Sequence, residues 1–296
     1  MSVTVEPILD CKALLGEGAL WHAPTRTFFW IDILQHRVHR YDPETGQNDT
    51  FEVGEPVGTV VVRQSGGLLL GLVHGFGALD LDSGKVEYVV RVEHDRDDVR
   101  FNDGKCDPAG RLWCGTMAED PFATPDAGAL FVLEPDLSVR EIFGGVGCSN
   151  GIVWSADRKT MYYIDTVRKE VSAFDYDFET GTVSNRRTAV AIDDGEHGFP
   201  DGMAIDANDH VWVAMWDGGR VLHCDPKKGE IVEVLEVPGA KNVTACAFGG
   251  DDLGDLYITT ASAGFTDEDW ERYPQGGALY RARPGVTGVP SFEFVG

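Results

Sequence analysis

Side chains that carry oxygen ligands stand at the start of four short apolar segments that are far apart in the chain. Glu17 begins EGALWH, Asn102 begins NDGKCD, Asn150 begins NGIVW and Asp201 begins DGMAID. A carboxylate beside a buried strand is costly unless a cation or hydrogen bonds compensate its charge. If the four side chains meet in space, they form an all-oxygen ligand set that suits Ca²⁺, Mg²⁺ or Mn²⁺ and still admits Zn²⁺. These residues therefore predict a site for one divalent cation.

Turn chemistry is the alternative explanation for the same side chains. Asn and Asp often precede strands because their side chains hydrogen-bond the local backbone. Glu17 fits this alternative poorly, since Glu is rarely a turn residue, and all four residues take the same position in a repeated unit. That agreement favours the metal site, whereas Asp103, next to Asn102, is interpreted as structural.

A repeated unit would bring these residues together. Six units begin near the following residues: Glu17, Gly58, Asn102, Asn150, Asp201 and Thr244. Consecutive starts are 41 to 51 residues apart, and each unit holds three or four strand-like segments, as the blades of a β-propeller do. The innermost strands of a propeller meet at its central channel, so residues at one position of the repeat converge there.

The fold predicted from this repeat is all-β: a six-bladed β-propeller with one metal site in the central channel. The chain has 36 glycines and regular Asp/Gly turns, and it lacks the apolar spacing of long helices. We expect residues 1–296 to form a single domain. Either the amino-terminal SVTVEPIL or the carboxy-terminal SFEFVG is expected to complete the last blade.

Composition excludes several classes of function. With 25 Lys and Arg against 49 Asp and Glu, the net charge is −24, which disfavours binding to nucleic acid or to anionic membranes. No apolar run approaches the roughly 18 to 20 residues of a membrane-spanning helix. The start MSVTVEPILD lacks the features of a secretory signal. We therefore expect a cytoplasmic monomer whose six cysteines are reduced and mostly buried.

Several strings resemble a known family along nearly the whole chain. LLGEGALWH, RFNDGKCDPAGRLWCGTM, SNGIVW and FPDGMAID closely resemble the gluconolactonase and regucalcin family, also called senescence marker proteins. That family consists of six-bladed propellers that hydrolyse aldonolactones with one divalent cation in the channel. The resemblance implies the same fold, the same kind of cofactor and a small sugar lactone as the substrate.

The resemblance also implies roles for particular residues. By motif, the metal ligands correspond to Glu17, Asn150 and Asp201. The sugar-lactone contacts correspond to Arg100 and Asn102. An acidic residue after GTMA completes that group and falls on Asp120, where the family has a longer Glu. Glu119 is the alternative for this contact.

The mechanism expected from these residues needs no nucleophilic side chain. A metal with open positions polarises the lactone carbonyl and lowers the pKa of a bound water, and Asp201 serves as ligand or as base. Arg100 presents a fork of donors to hydroxyl groups or to the developing carboxylate. Two alternatives stay open: a non-catalytic Ca²⁺-binding regulatory protein, and a hydrolase of another ester such as an organophosphate.

Other motifs point to competing chemistry and are interpreted as structural. Residues 147–151, GCSNG, match G-x-S-x-G, but the following segment predicts a strand rather than the helix of a nucleophile elbow. Residues 175–181 suggest a hairpin turn, not an EF-hand. The only close histidine pair, His36 and His39, is interpreted as non-ligating. Segment 117–128 forms either a lid or a plain loop.

Overall fold

The structure is a computed structural model that describes residues 3–92, 96–192 and 194–296. The first strand, β1 (Val5–Leu9), precedes blade 1, which contains β2 (Gly16–His22), β3 (Thr27–Asp32), β4 (Arg37–Tyr41) and β5 (Asn48–Glu52). Blade 2 contains β6 (Thr59–Val62), β7 (Leu68–Leu72), β8 (Gly75–Leu79) and β9 (Val86–Arg91). Blade 3 contains β10 (Val99–Cys106), β11 (Leu112–Ala118), β12 (Gly128–Leu133) and β13 (Val139–Val146).

The second half of the chain repeats this arrangement. Blade 4 contains β14 (Ser149–Trp154), β15 (Thr160–Asp165), β16 (Glu170–Asp177) and β17 (Thr182–Ala191). Blade 5 contains β18 (Phe199–Ile205), β19 (Val211–Trp216), β20 (Arg220–Asp225) and β21 (Glu230–Glu236). Blade 6 contains β22 (Asn242–Gly249), β23 (Asp255–Ala261) and β24 (Leu279–Ala282), and β1 is its fourth strand. All neighbouring strands within the blades are antiparallel.

The helices are short. They are α1 (Asp194–His197) and α2 (Asp267–Arg272), with single 3₁₀ turns at Ala23–Thr25 and Thr166–Arg168. Within the ranges that the structure describes, no helix is long and apolar enough to cross a membrane.

Burial follows the position of a strand in its blade. The second strand β3 is buried along its whole length, whereas the outer strand β21 exposes most of its residues. Inner strands are covered on both faces because neighbouring blades pack against them, and the outer strands face water. Trp30, Trp113 and Trp212 lie in second strands and are among the largest fully buried side chains. These tryptophans are therefore core between the sheets.

The six blades form a closed ring. The innermost strands contact one another in the order β2, β6, β10, β14, β18, β22 and again β2. The amino-terminal strand closes the last blade, because Val5 pairs with Ala282 and Leu9 pairs with Leu279. The predicted six-bladed propeller is therefore confirmed, and of the two terminal segments it is the amino-terminal one that completes blade 6.

The carboxy-terminal segment has a different role. Gly288 pairs with Asp206 after β18, and Phe294 pairs with Arg63 after β6. Phe294 is fully buried, and its backbone N–H donates to Val62 O at 2.9 Å. Because β18 and β6 belong to opposite blades, residues 288–294 cross the end of the channel where the inner strands finish, and they cover that end.

Candidate functional site: the open end of the channel

Irregularities in the inner strands set the direction of the candidate side chains. The register with the second strand shifts between Glu17 and Leu20, between Phe101 and Gly104, between Ser149 and Ile152, and between Pro200 and Met203. A β-bulge turns a side chain away from its regular alternation and strengthens the local twist. The predicted ligands lie at these four shifts, at the ends of their strands that face away from the carboxy-terminal segment.

The side chains meet around one cavity of about 270 Å³. Its polar wall contains five of the seven residues predicted from the sequence: Glu17, Arg100, Asn102, Asn150 and Asp201. Its remaining wall is mainly apolar and includes Leu15, Ile33, Met117, Phe122, Phe199 and Trp216. A few convergent polar groups in an apolar pocket are typical of a small-molecule site.

A chain of hydrogen bonds orients the two amides. Asn102 Nδ2 donates to Ser149 O at 2.8 Å and to Asn150 Oδ1 at 3.1 Å. Asn150 Nδ2 donates to Thr166 Oγ1 at 2.7 Å, and Thr166 Oγ1 donates to Pro200 O at 2.8 Å. Since the hydroxyl proton of Thr166 is used on Pro200, this hydroxyl accepts from the amide of Asn150. Asn150 is therefore held with its NH₂ group on Thr166 and its oxygen on the side of Asn102.

Arg100 lies against the same network. Its Nη1 donates to Asn102 Oδ1 at 2.7 Å and to Phe101 O at 3.0 Å. The side chain is half-buried, and it contributes a positive charge to a cavity that also contains carboxylates. These two hydrogen bonds use only Nη1, so Nε and Nη2 of the guanidinium group are left to donate to a ligand.

The ionised forms of the carboxyl groups in the site are disfavoured by burial and by one another's charge. Burial and the neighbouring Asp103 raise the pKa of Glu17 to about 8. Burial raises the pKa of Asp201 well above its usual range, with further contributions from Glu17 and Asp103. The positive charges of Arg100 and Lys105 oppose the shift at Glu17 without removing it. Two buried carboxyl groups that hinder each other's ionisation are what a bound divalent cation would relieve.

The donor set fits such a cation. Glu17, Asn150 and Asp201 offer two carboxylates and one amide oxygen, which are the hard ligands that Ca²⁺ and Mg²⁺ take and that Zn²⁺ and Mn²⁺ also accept. Asp103 is buried beside this set, and its carboxylate accepts the Gly104 N–H at 2.7 Å. The interpretation of Asp103 as structural agrees with that hydrogen bond, but its charge also acts on Glu17 and Asp201.

Glu119 and Asp120 are not brought into the cavity wall. Both are exposed, and Asp120 Oδ1 accepts the backbone N–H groups of Phe122 at 3.2 Å and Ala123 at 3.0 Å. They immediately precede Pro121 and Phe122, which do line the cavity. Segment 117–128 therefore forms part of the rim of the cavity. The carboxylates of Glu119 and Asp120 lie outside the cavity wall that contains the other five predicted residues.

Some residues of the site carry no sequence signal. Thr166 follows the second strand of blade 4 and reaches Asn150 only because the 3₁₀ turn places it there. Phe122 has 54% of its surface exposed at the rim, and its ring meets that of Phe199 edge-on at 5.3 Å. The contact of Phe122 with Phe199 joins different blades, and the contact of Thr166 with Asn150 joins two strands of blade 4, so no local pattern could reveal either.

The competing motifs are structural, as predicted. Ser149 is fully buried in β14, which continues as a strand, and its hydroxyl accepts from Tyr163 Oη at 2.8 Å. This excludes a nucleophile elbow. Residues 175–181 lie at the hairpin between β16 and β17. Of the six cysteines, five are buried, which confirms that they are mostly buried.

Comparison with known proteins agrees with this architecture. A family model described as "SMP-30/Gluconolactonase/LRE-like region" matches residues 15–262. Regucalcin from Xenopus laevis is 40% identical over 300 residues, which cover 100% of this chain and 99% of the relative. A solved luciferin-regenerating enzyme superimposes with a TM-score of 0.93 at 31% identity, covering 99% of this chain and 100% of that one. Regucalcin from Agrobacterium tumefaciens, described as a calcium-binding protein, superimposes with a TM-score of 0.92 at 26% identity, covering 99% and 98%.

Proposed function

Because the chain belongs to the SMP-30/gluconolactonase/LRE-like family, we propose that it is a metal-dependent lactonase that hydrolyses a sugar lactone, such as gluconolactone, to the aldonic acid. One observation carries the proposal. Glu17, Asn150 and Asp201, which are distant in sequence, line a single cavity together with the donors of Arg100 and Asn102. An acid-rich ligand set beside a cationic donor group suits a carbonyl substrate that develops negative charge.

Glu17, Asn150 and Asp201 would hold one divalent cation, of the class Ca²⁺, Zn²⁺, Mg²⁺ or Mn²⁺. Such a cation, when bound, polarises a carbonyl oxygen and lowers the pKa of a water molecule. The chain prepares for it by fixing the amide of Asn150 through Thr166. Burial disfavours the ionised forms of Glu17 and Asp201. A cation bound between them would stabilise these ionised forms.

The remaining polar residues bind and orient the lactone. Asp201 accepts a proton from the attacking water in addition to its role as a ligand. Arg100 donates to substrate hydroxyls or to the carboxylate that forms, and Asn102 shares this contact. From the rim, Asp120 or Glu119 contacts the hydroxyl end of the sugar. The apolar wall excludes bulk water, and the cavity volume suits a molecule of monosaccharide size.

A second candidate function is non-catalytic Ca²⁺ binding. The description of the Agrobacterium tumefaciens regucalcin as a calcium-binding protein favours it. Both functions use Glu17, Asn150 and Asp201, and only the lactonase needs Arg100 and Asn102. Hydrolysis of a different ester with the same residues is the third candidate.

The test is pH-monitored hydrolysis of glucono-δ-lactone, corrected for the spontaneous rate. The purified protein is assayed as isolated, after chelation, and after separate addition of Ca²⁺, Mg²⁺, Mn²⁺ or Zn²⁺. We expect turnover that the chelator removes and at least one metal restores, and a panel of aldonolactones then identifies the substrate. Absence of turnover with every metal and lactone, with Ca²⁺ still bound, would overturn the lactonase and support the calcium-binding function.

A further inference from the structure

A second cluster of ligand side chains lies in blade 5, at the end of β18 opposite the channel cavity. Asp206 directly follows β18, whose other end carries Asp201. His210 lies in the turn before β19, and His223 lies in β20 opposite Trp212. Within the part of the chain that the structure describes, these three are the one group of at least three His, Cys, Asp or Glu residues with the spacing of a metal site.

The ligand atoms are close enough to share one ion. His210 Nδ1 lies 3.0 Å from His223 Nε2, and His223 Nε2 lies 3.5 Å from Asp206 Oδ2. All three ligand atoms lie within 4.8 Å of one another. With Zn–N bonds of about 2.0 to 2.1 Å, a tetrahedral ion holds two nitrogen ligands about 3.3 Å apart. The distance of 3.0 Å between His210 Nδ1 and His223 Nε2 is therefore close to that in an occupied zinc site.

Groups behind the ligands have the arrangement that supports metal-binding histidines. His210 Nε2, the ring nitrogen that faces away from the cluster, lies 3.6 Å from Asp225 Oδ2. His223 Nδ1 lies 3.9 Å from Glu233 Oε2. Metal-ligating histidines usually donate their other N–H to a carboxylate, which fixes the tautomer and the ring orientation. Here each histidine has a carboxylate on its outer side, at a distance longer than a hydrogen bond.

Asp206 and His223 are also held in place. Asp206 Oδ2 accepts from Trp212 Nε1 at 3.1 Å, and Asp206 Oδ1 accepts the backbone N–H groups of Asn208 and His210. The ring of His223 stacks on Trp212 with the centroids 4.2 Å apart. Preorganised ligands lose little conformational freedom when an ion binds.

A hydrogen bond between His210 and His223 leaves the other ring nitrogen of His223 without a hydrogen-bond partner. If His223 Nε2 donates to His210 Nδ1, the neutral ring of His223 has an acceptor at Nδ1. That atom is buried and has no hydrogen-bond partner. If an ion takes both lone pairs, Nδ1 carries a proton instead, and the exposed side chain of Glu233 is the adjacent acceptor. With the ion bound, Nδ1 is a donor that faces a carboxylate, whereas in the empty pair it is an acceptor that faces the same carboxylate.

We propose that Asp206, His210 and His223 bind a transition-metal ion of the Zn²⁺ class, separately from the channel site. Two imidazole nitrogens and one carboxylate favour Zn²⁺, Co²⁺, Ni²⁺ or Cu²⁺ over the oxygen-seeking Ca²⁺ and Mg²⁺. The side chain of His210 is 26% exposed, which leaves access for the ion and for water as the fourth ligand. The ion joins the turn before β19 to β20 and stabilises blade 5.

The test uses the full chain with the channel site disabled by Asp201→Asn, so that it does not depend on lactonase activity. Metal-stripped D201N, D201N/H210N, D201N/H223N and the control D201N/H74N are dialysed against Zn²⁺, and the bound metal is counted. His74 is exposed and distant from the cluster in sequence, so H74N controls for the loss of a histidine. Co²⁺ replaces Zn²⁺ in a second series, because tetrahedral Co²⁺ absorbs visible light intensely.

We expect one Zn²⁺ per chain in D201N and in D201N/H74N, and none in the two variants of the cluster. We also expect the intense Co²⁺ bands and a Zn²⁺-dependent rise in Tm only in the first pair. H210N alters a partly exposed side chain, so it serves if H223N fails to fold, as judged by circular dichroism. The proposal is overturned if D201N binds no Zn²⁺, or if D201N/H210N binds as much Zn²⁺ as D201N/H74N.

Discussion

At the scale of single residues, the channel site contains buried carboxyl groups that disfavour one another's ionisation. Glu17 and Asp201 are buried carboxyl groups with raised pKa values, and Asp103 adds to both shifts. The amides of Asn102 and Asn150 are fixed by hydrogen bonds rather than by packing. The ligands were identifiable in the sequence because they share one position of the repeat. The groups that orient them, such as Thr166, could not be identified in the sequence.

Asp201→Asn tests the central ligand. The amide preserves the size of the side chain but removes the charge and the proton acceptor, so we expect loss of divalent-metal binding in the channel. Lactonase kcat/KM should fall by about 10²- to 10⁴-fold, the usual contribution of a positioned acid or base. Asp136→Asn, an exposed turn carboxylate that accepts from Ser138, is the control. Wild-type turnover by D201N would contradict the mechanism.

Thr166→Val tests the positioning of Asn150. Valine has the shape of threonine but cannot accept from Asn150 Nδ2 or donate to Pro200 O. We expect the channel to bind its metal about 10- to 100-fold more weakly, the range found for groups that orient metal ligands. Isothermal titration calorimetry measures this change. Thr166→Ser keeps the hydroxyl and should restore affinity; equal weakening in both variants would point to packing instead.

At the scale of elements, three of the bulged inner strands, β2, β14 and β18, combine a proposed ligand with a glycine. Glycine follows Glu17, Asn150 and Asp201 directly. A Cβ at Gly202 would lie 2.6 Å from Ala245 Cβ and 2.8 Å from Thr244 O, in the neighbouring inner strand. A Cβ at Gly151 would lie 2.5 Å from Met203 Cβ. The glycines therefore allow the inner strands of adjacent blades to approach closely beside the site.

Gly202→Ala is expected to destabilise the protein by about 1 to 3 kcal/mol, the usual cost of adding a methyl group to a filled interior. Gly144→Ala is the matched control, because it lies in the outer strand β13 and its Cβ would meet only the end of the Glu141 side chain, at 3.4 Å. Denaturant unfolding measures both changes. Equal effects of the two substitutions would contradict the argument from strand approach.

At the scale of the whole molecule, the closed ring brings residues of four blades, 1, 3, 4 and 5, to one cavity. Strand β1 completes blade 6, and residues 288–294 cover one end of the channel, so the polar cavity opens only at the other end. The carboxyl groups of Glu17 and Asp201 are buried in a cavity that residues of several blades form together. Their charge is therefore linked to the folding of the entire chain.

This linkage predicts how the stability of the metal-free protein depends on pH. The folded pKa of Glu17 is about 8, against an ordinary value of 4.5, and that of Asp201 is also raised. Below the ordinary value the contribution of both groups is fully present, and it is lost as the pH rises through the folded pKa. Chelated protein should thus unfold at a lower denaturant concentration at about pH 8 than at about pH 5.

Added Ca²⁺ should remove this loss, because a bound cation favours the ionised carboxylates. Glu17→Gln should reduce the pH dependence of the chelated protein, since one of the two coupled groups no longer titrates. Urea unfolding monitored by tryptophan fluorescence at several pH values measures both effects. A midpoint for the chelated protein that rises with pH, or an E17Q variant with an unchanged dependence, would argue against the coupled pair.

The sequence by itself determined the number of blades and selected the residues that we propose as ligands. The repeat of about 41 to 51 residues predicts the six sheets, and residues in equal positions of a closed repeat must converge at its axis. This reasoning selected Glu17, Asn102, Asn150 and Asp201, and the strand predicted after residues 147–151 correctly rejected Ser149 as a nucleophile. Arg100 came from the family resemblance, and it lies in the same cavity.

The tertiary structure alone decided the contacts that join strands and segments distant in the sequence. It selected the amino-terminal strand for blade 6, placed Glu119 and Asp120 outside the cavity wall, and brought Thr166 to Asn150. It also joined His210 to His223, which the sequence separates by 13 positions. The physical reason is that a repeat specifies the direction of each strand, whereas register, turns and loops set which side chains from different strands touch.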